Sequence, residues 1–349
     1  DEMFVSRTTL EHDLYALRKQ YILPDPHIQF FRSKNAICFE KNERKRRAIL
    51  NRLFAENWNY NARGNTYYRY QYMEEDVVNL TMQEINFHLA HHGVQIEDVN
   101  MVILDMAVVI MYYRTLQGYF LAEPLPAPFF DPVSVQAVDD LLDSLEEKLS
   151  CSFPPLERED IYQHVSCSRV LNVEKFQPHL ASQYFSKETV SLADTYIAKI
   201  ASTYHIDFSG NGGFYLTLLQ YLRYLGLPVH YFNDIPVHTD VTRSKFLIEF
   251  EIAFSFQPLA LSHYGDYLNY TELLYLSFCI SGALSYLHRT APKRRTVLMS
   301  QLNLPAFWDL KQRLLGKYKS YIDLTASLPV YMKDNYDFSG TDLVITTAD

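Results

Sequence analysis

Val94-Gln95-Ile96-Glu97-Asp98-Val99-Asn100 leads into an apolar run over residues 101–113, and His205-Ile206-Asp207-Phe208-Ser209-Gly210-Asn211 leads into another over residues 214–225. The shift from 94 to 205 is 111 residues. Further along, Glu157, Ile161, His164 and Val165 are matched in spacing by Glu272, Leu276, Cys279 and Ile280, a shift from 157 to 272 of 115. An amphipathic helical pattern precedes each copy, near 77–90 and near 190–203. A weak repeat at this period predicts two copies of one helical bundle, over residues 48–170 and 171–289.

Composition agrees with helices. The 349 residues are 48% apolar and 21% charged, enough to bury substantial cores. Only 11 are glycine, which argues against a turn-rich sandwich or barrel. The cysteines Cys38, Cys151, Cys167 and Cys279 show no CxxC spacing. That excludes a ribbon-type zinc site and a disulfide scaffold, and fits a reducing, cytoplasmic location. No apolar run reaches the roughly 20 residues that span a bilayer, so no membrane partner is expected. Residues 101–111 and 273–287 read as buried helices.

The net charge of −9 is unevenly spread. Residues 1–52 hold 11 Lys/Arg against 7 Asp/Glu, and the rest holds 21 against 34. A basic end on an acidic body points to a polyanion met by the N-terminal end alone. The run Lys41-Asn42-Glu43-Arg44-Lys45-Arg46-Arg47 otherwise reads as a solvated helix start.

Ser6-Arg7-Thr8-Thr9-Leu10-Glu11 has the form of a helix start, with Ser6 as cap and Thr8 with Glu11 as a second capping pair. Leu10, Leu14 and Leu17 make an apolar stripe. After Pro24 and Pro26, extended runs at 27–31 and 36–40 flank a basic tip at 32–35. A helix followed by a hairpin is the second half of a winged helix-turn-helix, or an ordinary helix and hairpin. In the first reading Ser6, Arg7, Thr8, Thr9 and His12 face double-stranded promoter DNA, and Arg32 and Lys34 on the wing contact phosphates. Residues 1–47 form this partial domain. The chain begins inside a structural element and is expected to be cut from a longer one.

At the other end, 295–298 reads as a strand, 306–318 as a helix with Leu310, Leu314 and Leu315 inward, and 321–324 and 343–347 as further strands. Strand–helix–strand alternation implies a parallel sheet over 290–349.

In this order of parts, the chain resembles the Mga/AtxA-like virulence regulators of Gram-positive bacteria. The resemblance covers nearly all of it and is most characteristic over 190–223, 269–287 and 295–347. It implies a mainly α architecture: a partial winged helix-turn-helix, two tandem phosphotransferase-system regulation domains (PRDs) and a partial α/β domain like sugar-permease component EIIB. It implies a transcriptional activator that dimerises and takes input from phosphotransferase-system phosphocarrier proteins through histidine phosphorylation. Matched to the family pattern, the acceptor positions fall at Ala107, His164, Leu218 and Cys279, so only His164 is a candidate acceptor. It otherwise reads as a polar residue at a helix surface. The loop that carries the EIIB nucleophilic cysteine is Met299-Ser300-Gln301-Leu302-Asn303-Leu304, and no cysteine follows Cys279. The partial domain is expected to lack its last strands. No enzyme activity and no cofactor is expected; the alternatives are a phosphotransferase component and a PRD-type RNA antiterminator.

Three further clusters have plainer readings. Glu84, His88, His91 and His92 share a helix end at Gly93 with no second ligand group, so no metal is assigned. The loop 209–213 lacks the lysine of a P-loop and reads as a helix N-terminus. Tyr67-Tyr68-Arg69-Tyr70-Gln71-Tyr72 interleaves aromatics with a cation as single-strand binders do, but packing or an interface is the better reading in an acidic helical segment.

Overall fold

The computed structural model describes residues 6–19, 29–32, 37–55, 58–59, 64–65, 73–125, 129–172, 176–229, 246–290 and 292–347. Among them the chain is mainly helical, with twelve α-helices and one three-stranded parallel sheet. It divides into two compact units, residues 1–276 and 277–349.

The first unit opens with α1 (Arg7–Leu17), then an antiparallel pair of short strands, β1 (Phe30–Arg32) and β2 (Ile37–Phe39), registered Phe30 to Phe39. Helix α2 (Glu43–Ala55) follows, then a two-residue ladder, β3 (Trp58–Asn59) with β4 (Gly64–Asn65). The expected domain boundary at 47/48 falls inside α2. Helices α3 (Glu75–His91), α4 (Asp98–Leu116), α5 (Pro132–Leu149) and α6 (Pro155–Ser168) complete the first bundle.

The apolar stripe of α5 shows why this sequence becomes a bundle. Its buried residues Ser134, Ala137, Val138, Leu141, Leu142 and Leu145 recur at helical spacing. All but Ser134 pack with Ile85 and Leu89 of α3, Leu104, Val108 and Met111 of α4, and Ile161 and Val165 of α6 in one core. Each fully buried leucine contributes about 1.5–3 kcal/mol of transfer free energy. Helix α4 also turns Met106, Val109 and Ile110 toward Phe54 and Val78 in a second core. It is therefore apolar on almost every face, and by length and composition it is the one described helix able to cross a membrane. Half of that stretch is buried inside the protein.

After a 3₁₀ turn (Pro178–Gln183) come α7 (Lys187–Tyr204), α8 (Gly212–Leu225), α9 (Leu247–Phe254), α10 (Gln257–Tyr264) and α11 (Tyr270–Thr290). Tyr196 anchors this second bundle: its ring meets Phe256 at 4.8 Å and its hydroxyl donates to the Ile252 carbonyl at 2.9 Å. The starts of α3, α4, α5 and α6 at 75, 98, 132 and 155 correspond to starts at 187, 212, 247 and 270, shifts of 112, 114, 115 and 115. Helix α5 spans 132–149 where α9 and α10 together span 247–264, the same shift at both ends. The second copy is broken there by Pro258 in the first turn of α10, which supplies no backbone donor.

The helix stops repeat as well. Gly93 (φ 64°) and His205 (φ 58°) sit 112 apart, and Ser150 (φ 50°) and Gly265 (φ 81°) sit 115 apart. All four hold the left-handed conformation that ends a helix. Glu157 and Glu272, again 115 apart, are both buried, with 0% and 7% of their surface exposed.

In the second unit β5 (Arg294–Ser300) lies between β6 (Ile322–Pro329) and β7 (Leu343–Thr346), parallel to both. The register to β6 shifts between Thr296 and Val297. Helix α12 (Leu304–Tyr318) connects β5 to β6, and a 3₁₀ turn (Val330–Asp334) follows β6. Leu310, Leu314 and Leu315 form the half-buried side of α12, as their spacing predicts, and no residue of that helix is fully buried.

Candidate functional site

Helix α1 is capped by Ser6, whose Oγ accepts from the Thr9 amide at 3.1 Å. Thr8 is therefore inside the helix and is not its cap. The hydroxyls of Ser6 and Thr9 lie 2.8 Å apart, and Arg7 Nε donates to Glu11 at 3.3 Å. Arg7 and His12 keep 87% and 82% of their side chains exposed. Ser6, Arg7, Thr8, Thr9 and His12 thus gather on the first two turns of an exposed helix. The apolar stripe is shallower than its spacing suggests: Leu10 and Leu14 are half-buried, and Leu17 is exposed. Arg32 lies at the end of β1, with its side chain outside the described residues, as is Lys34. The aromatic run at 67–72 also lies outside them.

The basic run at 41–47 is not a solvated helix start. Arg47 donates to both oxygens of Glu157, to Glu43 at 3.1 Å and to the Tyr119 carbonyl at 2.9 Å. Arg44 donates to Asp160 at 2.8 Å and to the Glu123 carbonyl at 3.0 Å. Glu43 is held from the other side by Arg114, with both bonds at 2.7 Å. Burial pushes the Glu43 carboxyl up, but bonding and charge from Arg114 and Arg47 outweigh it and leave it below the ordinary range. Two of the cations expected to meet a polyanion or solvent, Arg44 and Arg47, therefore tie α2 to α6, and Glu43 ties it to α4 through Arg114.

His164 sits on α6 beside this network. It shares a crevice with Arg44, Arg47, Asn51, Ala107 and Asp160. So Ala107 and His164, the two acceptor positions that the resemblance assigns to the first bundle, face one space. Burial holds the imidazole below its ordinary value; Asp160 pulls it the other way and Arg44 reinforces the drop. Near neutral pH the ring is uncharged and keeps a nitrogen lone pair, the form that attacks phosphorus. The crevice measures about 20 Å³, room for about one water.

In the second bundle the cap of α8 resets the match. Asn211 Oδ1 accepts from the Phe214 amide at 2.9 Å, which makes 209–213 a helix N-terminus. The caps Glu97 and Asn211 are 114 apart. That shift pairs core Leu104, Val108 and Met111 with core Leu218, Leu222 and Leu225. Tyr221, not Leu218, then stands where Ala107 stands, and its hydroxyl donates to the Glu272 carbonyl at 2.6 Å.

Glu84 accepts from Lys148 at 2.5 Å and Ser144 at 2.6 Å, while His92 meets Asp140 at 2.7 Å. No group of three or more His, Cys, Asp or Glu placed to hold a metal ion occurs among the described residues. In the second unit, Asn303 caps α12 by accepting from the Ala306 amide at 3.1 Å. Ser300 Oγ in the same loop lies 3.0 Å from Thr347 Oγ1. The loop that the resemblance matches to the EIIB nucleophile position presents these hydroxyl and amide groups and no thiol. Searched against protein-family models and against curated proteins, the chain gives no match to either.

Proposed function

We propose that the chain is a DNA-binding transcriptional regulator of the Mga/AtxA-like kind, an activator whose two PRD-like bundles form a dimerising sensor. Duplex promoter DNA is met by α1 and the β1–β2 wing. Phosphorylation of His164 by phosphocarrier proteins of the sugar phosphotransferase system supplies the metabolic input. The C-terminal EIIB-like part is a non-catalytic remnant, since it has no cysteine to carry phosphate.

The observation that carries this reading is the internal duplication: four helix starts, two left-handed stops and a buried glutamate recur at shifts of 112–115. Two fused copies of a helical module behind a helix and wing suit a sensor better than a catalyst. The pairing of Ala107 with His164 in one crevice adds to it, because that is where a PRD needs its acceptors.

Fluorescence anisotropy at low ionic strength, where phosphate contacts are strongest, tests the DNA arm with labelled duplex DNA and hairpin RNA. Duplex DNA is expected to bind more tightly, and Arg7→Ala with His12→Ala to weaken it. Preference for the RNA, or equal binding by the variant, overturns the reading. Incubation with phosphoenolpyruvate and the general phosphotransferase proteins tests the input: wild type takes label and His164→Ala does not. Rapid onward transfer to a sugar carrier makes the chain a phosphotransferase component instead.

A further inference from the structure

A cavity of about 1060 Å³ lies apart from His164, within the first unit. Its wall takes Phe129, Gln163 and Cys167 from the first bundle and the start of α7, the end of α8 and residues 263–269 from the second. Ligand pockets typically combine apolar walls with a few convergent polar groups. Here Phe129, Leu225, Leu227, Pro228 and Leu268 supply the apolar part.

The polar part centres on Arg223. Only 4% of it is exposed, and no described carboxylate forms an ion pair with it. Nη2 donates to the Arg169 carbonyl at 2.5 Å, Nη1 reaches the Tyr184 carbonyl at 3.5 Å, and the group stands 4.9 Å over the Phe185 ring. Nε has no hydrogen-bond partner among the described residues. Two carbonyls, from the end of the first bundle and the approach to the second, therefore fix the guanidinium and leave one edge unused. A buried charge without a counter-ion is costly. Burial lowers its pKa to about 10, which still leaves it charged at neutral pH. Asp131, the acid acting on it across space, is already bonded to Arg169 and Ser134.

We infer that this cavity binds a small organic anion, a phosphate monoester or carboxylate with an apolar ring-sized body, whose anionic group pairs with Arg223. Exposed Lys187 and the N-terminal end of the 18-residue helix α7 line the same cavity and add positive potential. Three acids also line it and set the selectivity. Glu188 is bonded to Ser186, Asp266 accepts the Tyr267 amide at 2.7 Å, and one oxygen of Glu272 accepts the Asn269 amide at 2.8 Å. All three repel a second negative group, so monoesters fit better than polyphosphates. Because Arg223 bridges the bundles through Arg169 and Tyr184, an anion there couples them. The inference holds whether or not the chain binds DNA.

Isothermal calorimetry with phenyl phosphate, benzoate and neutral benzyl alcohol tests it on the whole chain. One or both anions are expected to bind saturably at one site, and the alcohol not to bind. Arg223→Gln is expected to weaken anion binding at least about tenfold. Charge reversal at the exposed mouth, Lys187→Glu, weakens it by a smaller factor and leaves the fold intact. Absence of saturable binding up to about 10 mM, or unchanged affinity in Arg223→Gln, overturns the inference. If Arg223→Gln does not fold, hydrogen exchange decides: phenyl phosphate must protect the amides of residues 263–269 in wild type and protect them measurably less in Lys187→Glu at the same subsaturating concentration, and no protection in wild type or equal protection in both overturns the inference.

Discussion

Replacing Arg47 by Met tests whether the α2 network is structural. The Arg47 and Glu157 side chains are 9% and 1% exposed. Glu157 accepts two donors from Arg47 and the Leu121 amide at 2.9 Å. Removing the cation leaves a carboxylate buried against the core with one backbone donor. Breaking a buried pair from one side costs about 3–5 kcal/mol. With a urea m-value of about 3 kcal/mol/M, the unfolding midpoint followed by circular dichroism should fall by about 1–1.7 M. The double variant Arg47→Met with Glu157→Leu removes both charges and should recover about 2 kcal/mol of that loss. It stays about 1–3 kcal/mol short because the Leu121 amide then has no acceptor. A single-variant loss below about 1 kcal/mol, the scale of an exposed pair, would refute the reasoning. So would a double variant no more stable than Arg47→Met.

Two further outcomes follow from groups already described. Because burial holds the folded imidazole of His164 below the ordinary 6.5, the unfolded chain takes up the proton first as pH falls. The stability tied to neutral His164 is therefore complete above 6.5 and is lost below it, with Asp160 and Arg44 facing the ring. In urea melts, His164→Gln should lose less stability than wild type between about pH 7 and 5.5; equal losses count against a desolvated ring. Ser6→Ala removes the cap of α1 and should raise amide exchange at Thr9 about fivefold, the effect of roughly 1 kcal/mol; an unchanged rate means that Ser6 does not hold that helix turn.

Much of the fold was legible because it rests on local pattern. The amphipathic patterns of α3 and α7, the polar starts of α4 and α8 and the strand–helix–strand order around α12 are each read from neighbouring residues in the chain. What the sequence hid was long-range. Arg44 meets Asp160 and Arg47 meets Glu157 across 116 and 110 residues. A run of cations gives no sign of which acids will face it, so a network that joins three helices looked like surface. The misplacement of Leu218 has a smaller cause. From the left-handed stop to the helix cap is 4 residues in the first copy, 93 to 97, and 6 in the second, 205 to 211. Ala107 and Leu218 stand 111 apart, the shift of the 94–100 and 205–211 segments, which is three less than the 114 between the helix caps and so nearly one turn of α8. At the crevice, the sequence offered His164, but only folding joins it to Ala107, 57 residues away by number, 107 to 164.

The paired helix stops have a practical consequence. At each bend one copy uses glycine and the other a residue with a side chain: Gly93 against His205, and Gly265 against Ser150. Glycine adopts that geometry without the steric penalty a Cβ suffers there. The molecule thus contains, within one polypeptide, a worked comparison of two solutions to the same architectural problem, and each half is a template from which the other can be re-engineered.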